Sequence, residues 1–110
     1  MSIKVKPGAS TKGCSAEILQ ASITCEPAFA KHKVDLIVTS GVERYEHTAI
    51  RSAHYRGDAE DWRIKHIPQD KRPGLINAIK KRLGPNYVVI WENKGKKSEH
   101  IHVHWSPVFS

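Results

Sequence analysis

The segment that ends the chain is the feature that most restricts its fold. Residues 100–105 read HIHVHW, so apolar and histidine side chains alternate strictly. Alternate residues of a β-strand point to opposite faces of a sheet, and this pattern predicts a strand that is buried on one side only. The two sets are Ile101, Val103 and Trp105 on the core side, and His100, His102 and His104 on the other. The fold therefore needs a sheet with one covered face and one polar face.

The other patterns along the chain add three strands and two helices. β-branched and aromatic runs or alternation mark the strands, and apolar residues at helical spacing mark the helices. The strands are predicted at residues 34–40, 62–67, 86–92 and 100–105, the helices at residues 15–31 and 72–84, and a loose lead-in at residues 1–13. The 110 residues are enough for one domain. The expected fold class is α+β, a small four-stranded antiparallel sheet with helices on one face.

Charge and hydropathy restrict the partners. The chain has 18 Lys and Arg against 11 Asp and Glu, which gives a net charge of +7. This excess favours an anionic partner such as nucleic acid, a membrane surface or a cell-wall polymer, although a basic surface without a specific partner is the simpler alternative. No apolar run approaches the ~20 residues of a membrane span, and the N-terminus lacks the apolar segment of a secretory signal. We expect a cytoplasmic location in the producing cell and no membrane span.

The three histidines of the last strand indicate a metal site. Imidazole is a common zinc ligand, and three histidines on one face are poor core residues. His102 could supply one ligand, and the stretch SAHYRGDAED at residues 52–61 offers His54 and Asp61. Same-face neighbours on a strand are about 6.5–7 Å apart, so we expect one rigid strand to deliver only one of its histidines to a given ion.

Two motifs carry a family resemblance. The first has the pattern S-x-H-x-x-G-x-A-x-D, and the second is an acidic residue three positions before a histidine. The matching residues are Ser52, His54, Gly57, Ala59 and Asp61 in the first motif, and Glu99 and His102 in the second. Over about residues 15–106 the chain resembles the zinc D-Ala-D-Ala carboxypeptidase and L-alanyl-D-glutamate endopeptidase family. The resemblance implies a hedgehog-like α+β fold.

The resemblance also implies roles for these residues. One zinc ion per chain would be held by His54, Asp61 and His102, and Glu99 would be the general base that activates water. Because Glu99 and His102 are separated by an odd offset, Glu99 must lie at the mouth of the strand, where the NKGKKS turn bends the chain. In the related lysostaphin-like peptidases, which use H-x-H, one histidine binds the metal and the other assists catalysis. His100 or His104 could take part in the same way.

Four further residues are candidates for substrate binding. The family usually has SG-x-R before its first motif, whereas this chain reads SGVER, which places Arg44 one position late. Arg51 competes for the role of holding a substrate carboxylate or carbonyl. Ser52 and His104 complete the predicted substrate contacts.

The function implied by the resemblance is hydrolysis of peptidoglycan stem peptides. A small basic peptidase without a secretory signal fits a phage endolysin, which acts as a monomer on the wall after release from the cytoplasm. An L-Ala-D-Glu endopeptidase is the first choice and a D,D-carboxypeptidase the second. One alternative is an HUH-type single-strand DNA nuclease, which needs a tyrosine nucleophile, yet none of the six residues after His104 is tyrosine. We therefore expect no nucleic-acid partner. Another alternative is a non-catalytic zinc-binding module.

Overall fold

The protein is described by a computed structural model that covers residues 2–41 and 57–107. Within these ranges the chain forms five β-strands, two α-helices and one short 3₁₀ turn. In chain order they are β1 (Ile3–Val5), α1 (Ala16–Ala30), β2 (Leu36–Ser40), β3 (Ala59–Arg63), the 3₁₀ turn (Gln69–Lys71), α2 (Arg72–Leu83), β4 (Tyr87–Glu92) and β5 (His100–Trp105). The α+β class and both helices agree with the sequence prediction.

The sheet differs from the predicted one. Its strand order is β1-β2-β3-β5-β4, and β1 runs parallel to β2 while the other pairs are antiparallel. The expected four-stranded antiparallel sheet is therefore wrong, because part of the predicted lead-in forms a fifth, parallel edge strand. All three residues of β1 are exposed, so no burial pattern marked it in the sequence. The connection through α1 allows the parallel pairing.

Strand β3 begins three residues earlier than predicted. Its sequence AEDWR carries two acidic residues, which hid its first half. Glu60 is buried on the helix side, whereas Asp61 is half-buried and points to the opposite side. Asp61 is therefore a strand residue rather than a loop residue.

Both helices pack on one face of the sheet. The Oγ of Ser15 accepts a hydrogen bond from the backbone N–H of Ile18 and caps α1. The helix continues through Pro27 to Ala30. Trp62 of β3 is fully buried and meets Phe29 of α1 edge to face, with ring centroids 6.2 Å apart. The other buried core side chains include Ile18, Cys25, Leu36, Val38, Ile64, Leu75, Ile79, Ile101 and Val103.

The second face of the sheet carries no described helix, and we call it the open face. It presents the alternate residues of β3, β5 and β4 that do not enter the core. The open face is thus where the histidines of β5 lie.

No helix in the described ranges is long and apolar enough to cross a membrane.

Candidate metal centre

The open face is organised by strand β5, which lies between β3 and β4. Each of its three histidines has one direct neighbour on each flanking strand. The three rows are Ala59, His104 and Val88; Asp61, His102 and Ile90; and Arg63, His100 and Glu92. The face therefore has an apolar end at the first row and a charged end at the third.

The middle row brings together two of the predicted metal ligands. Nδ1 of His102 lies 3.1 Å from Oδ1 of Asp61, and their side chains are 14% and 18% exposed. Two ligand atoms of a tetrahedral zinc ion, each about 2.0–2.1 Å from the metal, are about 3.3 Å apart. The pair is hydrogen-bonded at this distance, and the separation and the mixed nitrogen and oxygen donors also fit two ligands of one zinc ion.

His104 contacts the other nitrogen of the same ring. Nε2 of His102 lies 2.8 Å from Nδ1 of His104, and the ring centroids are 5.0 Å apart. The two rings lean towards each other, so their separation is shorter than the strand repeat suggests. If Nδ1 of His102 faces a metal as a lone pair, Nε2–H donates to His104. This contact fixes the tautomer and the ring orientation of His102.

The charged row forms a second group of metal-ligand type. Nε2 of His100 lies 2.7 Å from Oε1 of Glu92 and 3.6 Å from Oδ2 of Asp61. Asp61, Glu92 and His100 offer ligand atoms that all lie within 4.8 Å of one another. Nδ1 of His100 is 2.6 Å from the carbonyl oxygen of Ser98, to which it must donate. Nε2 therefore presents its lone pair on the side of the two carboxylates, an arrangement of donor atoms that suits a metal cation between them.

Glu99, the predicted general base, is held by the core side of the sheet. Oε2 accepts from Trp91 Nε1 at 2.7 Å, and Oε1 accepts from Arg72 Nη1 at 3.1 Å and from the Gly95 N–H at 3.2 Å. Its side chain is only 4% exposed. Burial raises the pKa of Glu99, but the hydrogen bonds from Trp91 and Gly95 and the charge of Arg72 outweigh burial, so the pKa lies below its usual range. These contacts are those of a structural ion pair.

Sequence reasoning missed Glu92. It ends strand β4 and pairs with His100 across the hairpin. The signal that could have found it is the hairpin register, because an antiparallel pairing of residues 86–92 with residues 100–105 places this acidic side chain among the histidines. That register depends on the length of the turn, which periodicity does not supply.

The remaining predicted site residues lie outside the described ranges. Arg44, Arg51, Ser52 and His54 all belong to residues 42–56. The boundary residue Gly57 has a φ of 78°, and a Cβ at this position would overlap the carbonyl oxygen of Gly13. Its own carbonyl accepts a hydrogen bond from the N–H of Ser15 at 2.7 Å. Glycine is thus required where the chain enters the segment that carries Asp61.

Comparisons with protein-family models, with curated proteins and with solved structures found no match to this chain.

Proposed function

We propose that this protein is a zinc-dependent peptidase with a hedgehog-like fold that hydrolyses peptidoglycan stem peptides. The observation that carries the proposal is the 3.1 Å approach of Asp61 and His102, one from each resemblance motif, on neighbouring strands. An L-Ala-D-Glu endopeptidase is the first choice and a D,D-carboxypeptidase the second. The proposed setting is that of a phage endolysin, a monomer that reaches the wall from the cytoplasm of the producing cell.

The proposed ligands are Asp61 and His102 with His54 as the third. The geometry supports the first two, and the motif alone supports His54. Two nitrogen donors and one carboxylate suit zinc and leave one position for water and substrate. When bound, zinc supplies a Lewis acid that polarises the scissile carbonyl and makes water nucleophilic near neutral pH.

The contacts favour Glu92 over Glu99 as the general base. Glu92 shares the open face with Asp61 and His102, and its side chain is 40% exposed, so substrate and water can reach it. Glu99 already accepts three hydrogen bonds, and its side chain is only 4% exposed. Glu92 would take the proton from the attacking water and pass it to the leaving amine. His100, 2.7 Å away, would orient the Glu92 carboxylate.

The test combines metal analysis with a peptidoglycan digest followed by mass spectrometry. The wild-type chain should contain one zinc ion and release stem-peptide fragments. Glu92→Gln should keep the zinc and lose activity by ~10²–10⁴-fold, because the loss of a general base leaves the ligands intact. Loss of zinc from this variant would instead make Glu92 a ligand, as part of the group with Asp61 and His100. A chain that binds no zinc, or that releases no peptide fragments, would contradict the proposal.

A further inference from the structure

A basic groove adjoins the candidate metal centre at the charged end of the open face. Its volume is about 620 Å³. It begins at His100 in β5 and crosses Arg63 in β3 and Thr39 in β2 towards Lys6, which follows β1. Arg63 and His100 are direct cross-strand neighbours, so the groove opens beside the row that contains Glu92.

The walls of the groove carry a strong excess of positive charge. Its lysine and arginine residues come from three separate segments of the chain, namely Lys6, Arg63 with Lys65, and Lys97. The only carboxylate on its wall, among the described residues, is that of Glu99, which Arg72 already neutralises. The side chains of Lys6, Arg63 and Lys97 form no ion pair with any described residue. Cations gathered in a concave site without counter-charges create a field that attracts an anion.

We propose that this groove binds a carboxylate group of the substrate and thereby fixes which part of a stem peptide lies at each end of the metal centre. The inference rests on the proposed peptidase function and extends it to substrate polarity. Arg63 is the main contact, because its planar guanidinium can hold a carboxylate through two parallel hydrogen bonds. Lys6 and Lys97 line the same groove and add positive charge to it. Lys65 donates to the carbonyl oxygen of Lys97 and so links the segment after β3 to the β4–β5 turn.

The opposite end of the open face is chemically different. Val88 and Ile90 of β4 are exposed hydrophobic residues, 36% and 41% exposed, and they flank His104 and His102. A peptide laid across the metal centre would therefore place a small apolar side chain near Val88 and Ile90 and an acidic group near Arg63. A bond between an alanine and an acidic residue fits this polarity better than a bond between two alanines, so the groove favours the endopeptidase over the carboxypeptidase.

The experiment measures binding separately from cleavage. Two synthetic stem peptides are compared, one with free carboxylates on its acidic residue and one with those carboxylates amidated. Calorimetric titration of the wild-type chain with N-methylated, non-cleavable versions of both peptides should show the free-carboxylate peptide binding about 10- to 100-fold more tightly. The double variant Arg63→Gln/Lys97→Gln should lose most of this preference. Lys96→Gln is the matched control, since it removes one charge from the same turn at a residue that does not line the groove.

Each outcome bears on one proposal at a time. If the wild-type chain cleaves peptides but binds both equally, the groove inference falls while the peptidase proposal stands. If it discriminates between the peptides but cleaves neither, the carboxylate site stands and the peptidase proposal falls. A third probe is a short poly(glycerol phosphate). If the double variant weakens only the binding of this polymer, the groove serves wall phosphate and the carboxylate assignment is overturned.

Discussion

Replacing Glu99 by glutamine separates a structural role from a catalytic one. The carboxylate accepts from Arg72, Trp91 and Gly95, and through Arg72 it reaches the carbonyl oxygens of Lys65 and Ile67. It thereby ties the β4–β5 turn to the start of α2. The Arg72 side chain is only 12% exposed, so its charge would remain largely buried without a partner. We expect Glu99→Gln to lower the free energy of unfolding by about 2–4 kcal/mol.

Thermal and urea unfolding measure this loss. For a chain of this size, a change of about 2–4 kcal/mol corresponds to a decrease in Tm of roughly 8–16 °C. The pKa of Glu99 is lowered in the folded state, so its ionised form stabilises the fold above the ordinary carboxyl pKa of about 4.3. This contribution is lost as the pH falls through the lower folded value. The difference in free energy of unfolding between wild type and Glu99→Gln should therefore be largest near pH 7 and should decrease at acidic pH.

Glu92→Gln is the matched control for this experiment. Its side chain is 40% exposed, and we expect its stability to stay within about 1 kcal/mol of the wild type. Assayed well below its Tm, Glu99→Gln should retain turnover, whereas Glu92→Gln should not. The reasoning is refuted if Glu99→Gln keeps its full stability and its zinc but loses activity by ~100-fold or more. Glu99 would then be the base that its spacing from His102 predicts.

Three further predictions concern single positions. Gly57→Ala should lower the free energy of unfolding by more than about 2 kcal/mol, because a Cβ would overlap the Gly13 carbonyl oxygen. Gly95 has a similar φ of 77° but open space around it, so Gly95→Ala should lower it by about 1 kcal/mol. Urea unfolding of both variants separates the effect of the overlap from that of the backbone conformation. The His104→Ala variant should still bind zinc, but about 10- to 100-fold more weakly, because His102 loses the partner that orients its ring. Competition with a chromogenic chelator measures this change in affinity. Unchanged affinity would show that His104 does not belong to the metal site. Burial raises the pKa of Cys25 to about 12, so this thiol should resist alkylation at pH 8 until the chain unfolds. Peptide mass spectrometry measures the labelling, and rapid labelling of the folded chain would contradict the burial of Cys25.

The elements that the sequence predicted well are those whose side chains divide between core and solvent. Strand β5 alternates, and α2 places Leu75 and Ile79 on one side, so burial leaves a period that can be read directly. Strand β1 is exposed on all three residues and therefore leaves none. The first half of β3 carries Glu60 on its buried side, which breaks the expected alternation. Local patterns cannot supply such placements, because neighbouring strands determine them.

The residues of the candidate site also divide into those that local sequence could predict and those that depend on a neighbouring strand. Asp61 and His102 were selected from motif spacing, and the sheet places them on adjacent strands in direct register. Glu92 was missed because its relation to His100 depends on the register of a hairpin across a seven-residue turn rather than on local sequence. Periodicity in one strand indicates which side chains share a face. It does not indicate which residue of the next strand lies beside each of them.

Alternation also accounts for the different environments of the two acidic residues beside the β4–β5 turn. Glu99 and His102 are three positions apart, so in extended backbone they point to opposite faces unless the turn brings them together. The turn does not do so, since the carboxylate of Glu99 meets Trp91, whose strand neighbour Ile101 is a core residue. The side chain of Glu92 points to the other face of the sheet from that of Trp91, because Glu92 pairs directly with His100 and therefore faces the histidines. The register of the hairpin thus places one acidic residue in the buried network with Arg72 and Trp91 and the other beside the histidines of the open face.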